Sequence, residues 1–340
     1  MEHTSDSLIN INNKPEGSYS FLIDNIKTLL IVLVVFNHLI AFQLVKYDQV
    51  ASFIRYGVTL FHMPAFIFVS GYLSKREHSV LHNMKTLLVP YVISYFIVWS
   101  CFRFFNGNEE FRILIPIGGT WYFLVLFIYR ITCGGISKIR WCIPVTILVG
   151  LLAGTQTDFS IFLTMSRAIV YYPFFLAGYF WTSPQTQKLR QSKWKWCLLI
   201  IGLLFFFLIS WYFMKHGLTV NILKQDRCYS KAGLSNLKGI VLRSLMYMGA
   251  FSLTFSIMAF MSDKKTPFSY LGKNSVSIYF FHYPLLFVSN RLGFLSQPLT
   301  LNWAAHILIT ILTVLLTGSA PVNRAFKAIM NKVTAIVFCE

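Results

Sequence analysis

Lys27 and His38 stand eleven residues apart inside the first apolar run, Asp24-Asn-Ile-Lys-Thr-Leu-Leu-Ile-Val-Leu-Val-Val-Phe-Asn-His-Leu-Ile-Ala-Phe. At about 100° per residue, eleven steps return to nearly the same side of a helix and climb roughly 16 Å. Lys27 then lies near one membrane surface and His38 about halfway through, with Asp24 on nearly the same face. A polar stripe on an apolar helix is costly, so it belongs toward the protein interior or a water-filled cavity. A neutral imidazole held there is a base at physiological pH. An ammonium near the surface attracts anions.

Other runs carry stripes of the same kind. The second holds Phe61-His62-Met63-Pro64 and then Ser70-Gly71-Tyr72. Pro64 frees backbone groups and kinks a helix, which suits a cavity lining. Ser70-Gly71 permits close approach of another helix or of a ligand, and both readings stand. Lys85, ahead of Pro90-Tyr91, either snorkels to headgroups or binds a phosphate. Trp121-Tyr122 reads as an interfacial belt or as a stacking platform for a sugar ring. Arg167 shares a helix face with Tyr171 and Gly178, and an arginine that far into an apolar run points to function over snorkelling. Asn274 or Ser275 reads as an N-cap, and Ser275, Tyr279 and His282 follow at spacings of four and three. His306 stands alone and reads as structural. His78 and His82 have the i, i+4 spacing of metal ligands but no further ligand near them, so no metal is expected. Lys27, His38, His62, Arg167 and His282 are expected to converge on one cavity, in a bundle with almost no other buried ionisable group.

The elements that must position these residues are membrane helices. Of 340 residues, 56% are hydrophobic and 12% charged, and mean hydropathy is +0.60. A soluble domain carries about twice that charge fraction. Apolar runs of about twenty residues recur along the chain, the mark of an all-α polytopic membrane protein. Ten spans around a central cavity are expected, near 22–44, 51–73, 84–105, 113–133, 141–154, 160–181, 194–214, 238–260, 274–294 and 301–319. The membrane domain is 22–320, after a polar tail over 1–21. Residues 321–340 follow as a basic amphipathic helix lying on the cytoplasmic surface, with Val322, Phe326, Ile329, Val333 and Ile336 on its apolar side. No cleavable signal peptide is expected. The six cysteines show no CxxC and no ligand spacing.

The net charge of +18 is the loop bias of a membrane protein and not a nucleic-acid footprint. Lys75, Arg76, Lys138, Arg140, Lys188, Arg190, Lys264 and Lys265 fall on the side of both termini, which places the termini in the cytoplasm. The 215–238 loop breaks the rule, with Lys215, Lys224, Arg227, Lys231 and Lys238 outside. A solvated loop with ordinary charges accounts for it, and the approach of an anionic polymer is the second reading.

In their order these motifs resemble the acyltransferase-3 family of integral-membrane acyltransferases, close to its fucose 4-O-acetylase-like branch. The resemblance covers about residues 20–320. It consists of a basic residue, ten others and a histidine (Lys27, His38) behind Asp24; the Phe61 to Tyr72 pattern; Lys85 before Pro90-Tyr91; Trp121-Tyr-Phe-Leu; Arg167 with Pro173-Phe-Phe; and Gly272-Lys-Asn274-Ser before Tyr279 and His282. The paired-arginine motif that some branches carry after the second span has only Lys75, Arg76 and Lys85 as imperfect substitutes. The resemblance implies a bacterial plasma-membrane enzyme that moves an acyl group, most often acetyl, from acyl-CoA to a hydroxyl of a cell-surface glycan or its precursor. His38 is then the general base, and His62 and Arg167 steady the oxyanion. Lys27, Asp24, Ser70, Lys85 and Asn274 hold the donor, while Trp121, Tyr171, Tyr279 and His282 contact the acceptor. Acetyl-CoA, the glycan and the bilayer are the expected partners, without metal or nucleic acid, and a homodimer is left open. A covalent acyl-His38 relay is a second version. A polysaccharide or lipid-linked glycan transporter is the alternative, although paired, interrupted half-helices would be expected of it.

Overall fold

With no water in a bilayer core to bond its amides, an apolar run closes its hydrogen bonds as a helix. Helix is the only regular structure among the described residues. The computed structural model describes residues 21–107, 110–157, 162–291 and 299–338, so the polar tail lies outside the described residues apart from Phe21. In chain order the helices are α1 Leu22–Phe42, α2 Gln49–Leu73, α3 Val80–Asn83, α4 Val89–Asn106, α5 Trp121–Ile136, α6 Cys142–Ala153, α7 Met165–Phe180, α8 Ser183–Gln191, α9 Trp194–Lys215, α10 Val220–Leu223, α11 Asn236–Phe260, α12 Ser269–Lys273, α13 Ser275–Arg291, α14 Leu299–Thr317 and α15 Ala320–Val337.

Six helical stretches are long and apolar enough to cross a membrane: α1, α2, Val80–Phe105, α9, α11 and Thr300–Thr317. Each of the ten expected spans contains a helix, but α5, α6, α7 and α13 run for only 12 to 17 residues. The expected span 113–133 becomes helical only at Trp121. Gly118 ahead of it has φ 56°, a left-handed conformation that suits glycine and interrupts a helix. A turn of π-helix, Met84–Leu88, joins α3 to α4. Pro90 has no N–H for the carbonyl four residues back, and the wider turn accommodates that loss.

Two helix contacts demand glycine. A Cβ on Gly71 would stand 2.0 Å from the Phe175 carbonyl oxygen, and one on Gly178 would stand 1.9 Å from that of Phe68. The backbones of α2 and α7 therefore touch, and Gly71 serves packing. A Cβ on Gly272 would lie 1.8 Å from the Asp24 carbonyl, which seats α12 on the first turn of α1.

The 215–238 loop is not a solvated loop. Ile222, Leu223, Cys228 and Tyr229 are buried. The Tyr56 hydroxyl donates to the Leu218 carbonyl (3.1 Å), and the Tyr229 hydroxyl donates to the Leu151 carbonyl (2.8 Å). The loop caps one end of the bundle because its apolar residues alternate with its lysines and arginines. At the other end α15 buries Phe326 and Met330, with the Phe326 ring 5.2 Å from Phe280. Part of the apolar side expected to meet lipid is thus used on protein, while Ile329 and Ile336 stay exposed.

Candidate active site

His38 points from the C-terminal part of α1 toward α13. The Tyr283 hydroxyl lies 3.3 Å from its Nδ1, and the His282 ring centroid is 5.5 Å from its own. His62 of α2 is within electrostatic reach. His62 and His282 are buried, whereas His38 is half-buried. The Nδ1 atoms of His62 and His282 each sit 2.7 Å from a helix carbonyl, those of Val58 and Tyr279. A carbonyl only accepts, so both rings carry their proton on Nδ1 and present Nε2 as an acceptor. His282 Nε2 is buried without a partner. This tautomer corrects one expectation: a neutral His62 accepts a proton and cannot donate to an oxyanion.

The wall opposite is aromatic. The Tyr279 hydroxyl donates to the Gly119 carbonyl, and its ring lies 5.2 Å from Tyr122. Gly118 sits where a Cβ would be 2.7 Å from the Tyr283 ring. The non-helical approach to α5 thus brings the amino end of that helix, which has no side-chain cap, beside the tyrosine that touches His38. Ser70 Oγ and the Tyr122 hydroxyl share a hydrogen bond of 2.6 Å. Trp121 is buried and is no interfacial belt residue. Its ring lies 5.7 Å from Tyr171 and 5.0 Å from the Arg167 guanidinium.

Arg167 ties the capping loop to the bundle. Its Nη2 meets Asp226 Oδ2 at 2.7 Å, and its Nε donates to the Lys224 carbonyl at 3.0 Å. The Tyr171 hydroxyl donates to the Leu223 carbonyl at 3.3 Å. Two cations absent from the sequence-derived set join Arg167 here. Arg55 and Lys224 are within electrostatic reach of His38 and of each other. Arg55, Thr59 and His62 follow at spacings of four and three, the signal that picked out the other stripes. Burial, then Arg55 and Arg167, push the Lys224 ammonium down to about 8. The expectation of almost no other buried ionisable group therefore fails. Arg243 is also buried in a span, donating to the Gly150 carbonyl at 2.8 Å.

A family profile described as an acyltransferase domain matches residues 22–319. The chain belongs to the acyltransferase-3 family. No curated protein and no solved structure matches it. Membership makes the protein a membrane acyltransferase and lends the transporter alternative no support. Every candidate residue of this acyltransferase falls inside the matched segment, and α15 lies beyond it.

At the end of the bundle opposite Arg167, Lys27 Nζ lies 3.2 Å from Asp24 Oδ1, the expected pair. The other residues expected to hold the donor are dispersed. The Asn274 amide donates to the Gly318 carbonyl at 2.8 Å and ties α13 to α14. Lys85 lies over the Phe338 ring, and Lys75 bonds the Trp181 carbonyl. Arg76 instead shares a cavity of about 170 Å³ with Arg130, His78 and Asn83. Arg130 Nε there is buried without a partner. His78 and His82 stack on each other at 4.3 Å. His306 bonds the Asn302 carbonyl 2.5 Å away, the structural role expected of it.

Proposed function

We propose that this acyltransferase moves an acetyl group from acetyl-CoA to a hydroxyl of a cell-envelope glycan or its precursor, with His38 as general base. For His38 to accept a proton at Nε2, its Nδ1–H donates to the Tyr283 oxygen, the 3.3 Å contact. The acceptor hydroxyl gives its proton to Nε2, and its oxygen adds to the thioester carbonyl. The C–S bond then breaks, and the imidazolium returns the proton to the CoA thiolate. General-base action of this kind is worth about 10²–10⁴-fold. The oxyanion is steadied by the uncapped amino end of α5, which carries partial positive charge, with Arg167 beyond it. His62 and His282 serve as proton acceptors around the base.

In this reading Lys27, clamped by Asp24, draws the donor phosphates to the end of the bundle that loop charge places in the cytoplasm. Arg76 and Arg130 offer a further phosphate site. Ser70 supports the donor channel through Tyr122. The glycan enters from the Arg167 end, past Trp121 and Tyr171. The enzyme is then a bacterial plasma-membrane protein of the fucose 4-O-acetylase-like branch with both termini inside.

The observation that carries this reading is the position of His38. It is half-buried, oriented by Tyr283, and flanked by two imidazoles that cannot donate from Nε2. Release of free thiol from acetyl-CoA, measured with and without a mixture of glycan acceptors, tests it. Acceptor-stimulated release supports the proposal, and thiol release that no acceptor changes would sink it.

A further inference from the structure

We infer that the acceptor is an anionic glycan, one bearing a carboxylate or a phosphate, seated between Arg55 and Lys224 beside His38. The inference rests on the proposed acyl transfer for its setting and on an imbalance of charge for its content.

Arg55, Arg167 and Lys224 gather at the end of the bundle covered by the 218–234 loop. Among the described residues Asp226 is the carboxylate within reach of Lys224, and Arg167 holds it at 2.7 Å. Arg55 and Lys224 form no ion pair among the described residues. Arg55 Nε is buried without a hydrogen-bond partner. Arg55 and Lys224 are half-buried, and charges drawn partly out of water are ordinarily paired, because desolvating an ion is costly. Here two positive charges are left over.

The surplus is held in place. Arg167 and Tyr171 fix the backbone of residues 223 and 224 through their carbonyls, and Tyr56 fixes residue 218. A snorkelling lysine would be free to leave for solvent or headgroups. Lys224 follows a buried turn, Ile222-Leu223, that holds it inward. The cluster also faces the reacting centre: His38 senses Lys224 and Arg55, and Tyr283 senses Arg167 and Arg55. A planar guanidinium beside an ammonium fits one carboxylate or phosphate. In the proposed arrangement the CoA phosphates enter at the Lys27 end, so the anion belongs to the acceptor.

The test uses the full-length protein in detergent and reads binding, so it does not depend on turnover. The probes are an oligosaccharide of alternating glucuronate and N-acetylglucosamine, the same oligosaccharide after carboxyl reduction, and glucose 6-phosphate. Thermal shifts give the affinities. A charged probe should bind, and the carboxyl-reduced one should bind roughly tenfold to a hundredfold more weakly. Arg55→Gln and Lys224→Gln should each weaken the charged probe by a similar factor, and Arg55→Lys should recover part of it. Arg227→Gln, which removes an exposed charge from the same loop, should leave binding unchanged. If Arg55→Gln fails to fold, Lys224→Gln carries the test. Preference for glucuronate assigns an acidic sugar, and preference for the phosphate assigns a phosphorylated glycan. Equal binding of charged and reduced probes, indifference to both substitutions, or no binding at millimolar probe overturns the inference. Hydrolysis of acetyl-CoA by the same preparation reads the acyltransferase assignment separately.

Discussion

Replacing Arg167 with methionine should loosen the capping loop while leaving the bundle folded. The guanidinium makes a 2.7 Å ion pair with Asp226, a 3.0 Å bond to the Lys224 carbonyl and a cation–π contact with Trp121 at 5.0 Å. Removing one partner of a fully buried pair costs about 3–5 kcal/mol, mostly from the charge left behind. The two side chains here are 12% and 19% exposed, so water recovers part of that cost and about 2–3 kcal/mol is expected. At 1.36 kcal/mol per decade this is roughly a 30- to 150-fold rise in the open population of the loop. Asp226 Oδ1 already lacks a hydrogen-bond partner, and Lys224, within electrostatic reach, is the cation left to hold the orphaned carboxylate. Hydrogen–deuterium exchange of residues 218–234 measures the opening directly. Arg167→Met should accelerate exchange there and leave α2 and α11 protected. Asp226→Asn should accelerate exchange in the same segment, because it leaves the Arg167 guanidinium without its carboxylate. The double substitution should recover about 1–2 kcal/mol relative to the sum of the singles. Unchanged exchange in Arg167→Met, or strictly additive effects, would refute the coupling of Arg167 to the loop.

Tyr283→Phe should lower turnover about tenfold while preserving fold, since it removes the 3.3 Å contact that orients His38. Unchanged steady-state turnover would remove Tyr283 from that role. Gly71→Ala and Gly178→Ala should each destabilise the protein by about 3 kcal/mol, because the added carbon meets a backbone oxygen at 2.0 or 1.9 Å. Gel filtration and thermal melting in detergent check this, and a wild-type melt would contradict it. Binding of an anionic acceptor should weaken as pH rises through about 8, where burial and the neighbouring arginines place the Lys224 titration. The charge that attracts the acceptor is present below that pH and lost above it. Lys224→Gln should flatten that part of the profile, and a wild-type profile flat from pH 7 to 9 would count against the assignment.

Several of these relations were legible in the sequence, and the reasons are physical. The Lys27–His38 stripe and the Ser275, Tyr279, His282 stripe stand out because a polar residue in an apolar run is rare at any spacing. Arg55 obeyed the same rule through Thr59 and His62 but sits close to the start of its run, where an arginine resembles an interface anchor. Lys224 was hidden for the opposite reason. Its loop is rich in charge, and only the tertiary hydrogen bonds from Tyr56, Tyr171 and Arg167 turn it inward. The helices came through as hydropathy, but the delayed start of α5 did not, because Gly118-Gly119 break a run that is apolar on both sides. Asn274 and Lys85 were expected at the donor, and nothing in local sequence marks that they meet Gly318 and Phe338 from the far end of the chain.

In the proposed reaction His38 performs the proton transfer. Purified wild type and His38→Ala, matched for monodispersity and melting temperature, would be incubated with acetyl-CoA labelled in the acetyl group, and label would be followed into glycan, acetate and protein. Wild type should transfer label to glycan, His38→Ala should lose at least about 100-fold, and wild-type protein should carry no label. Label held on wild-type protein through His38 would replace the base with an acyl-histidine relay. Equal transfer by both proteins would remove His38 from the proton transfer.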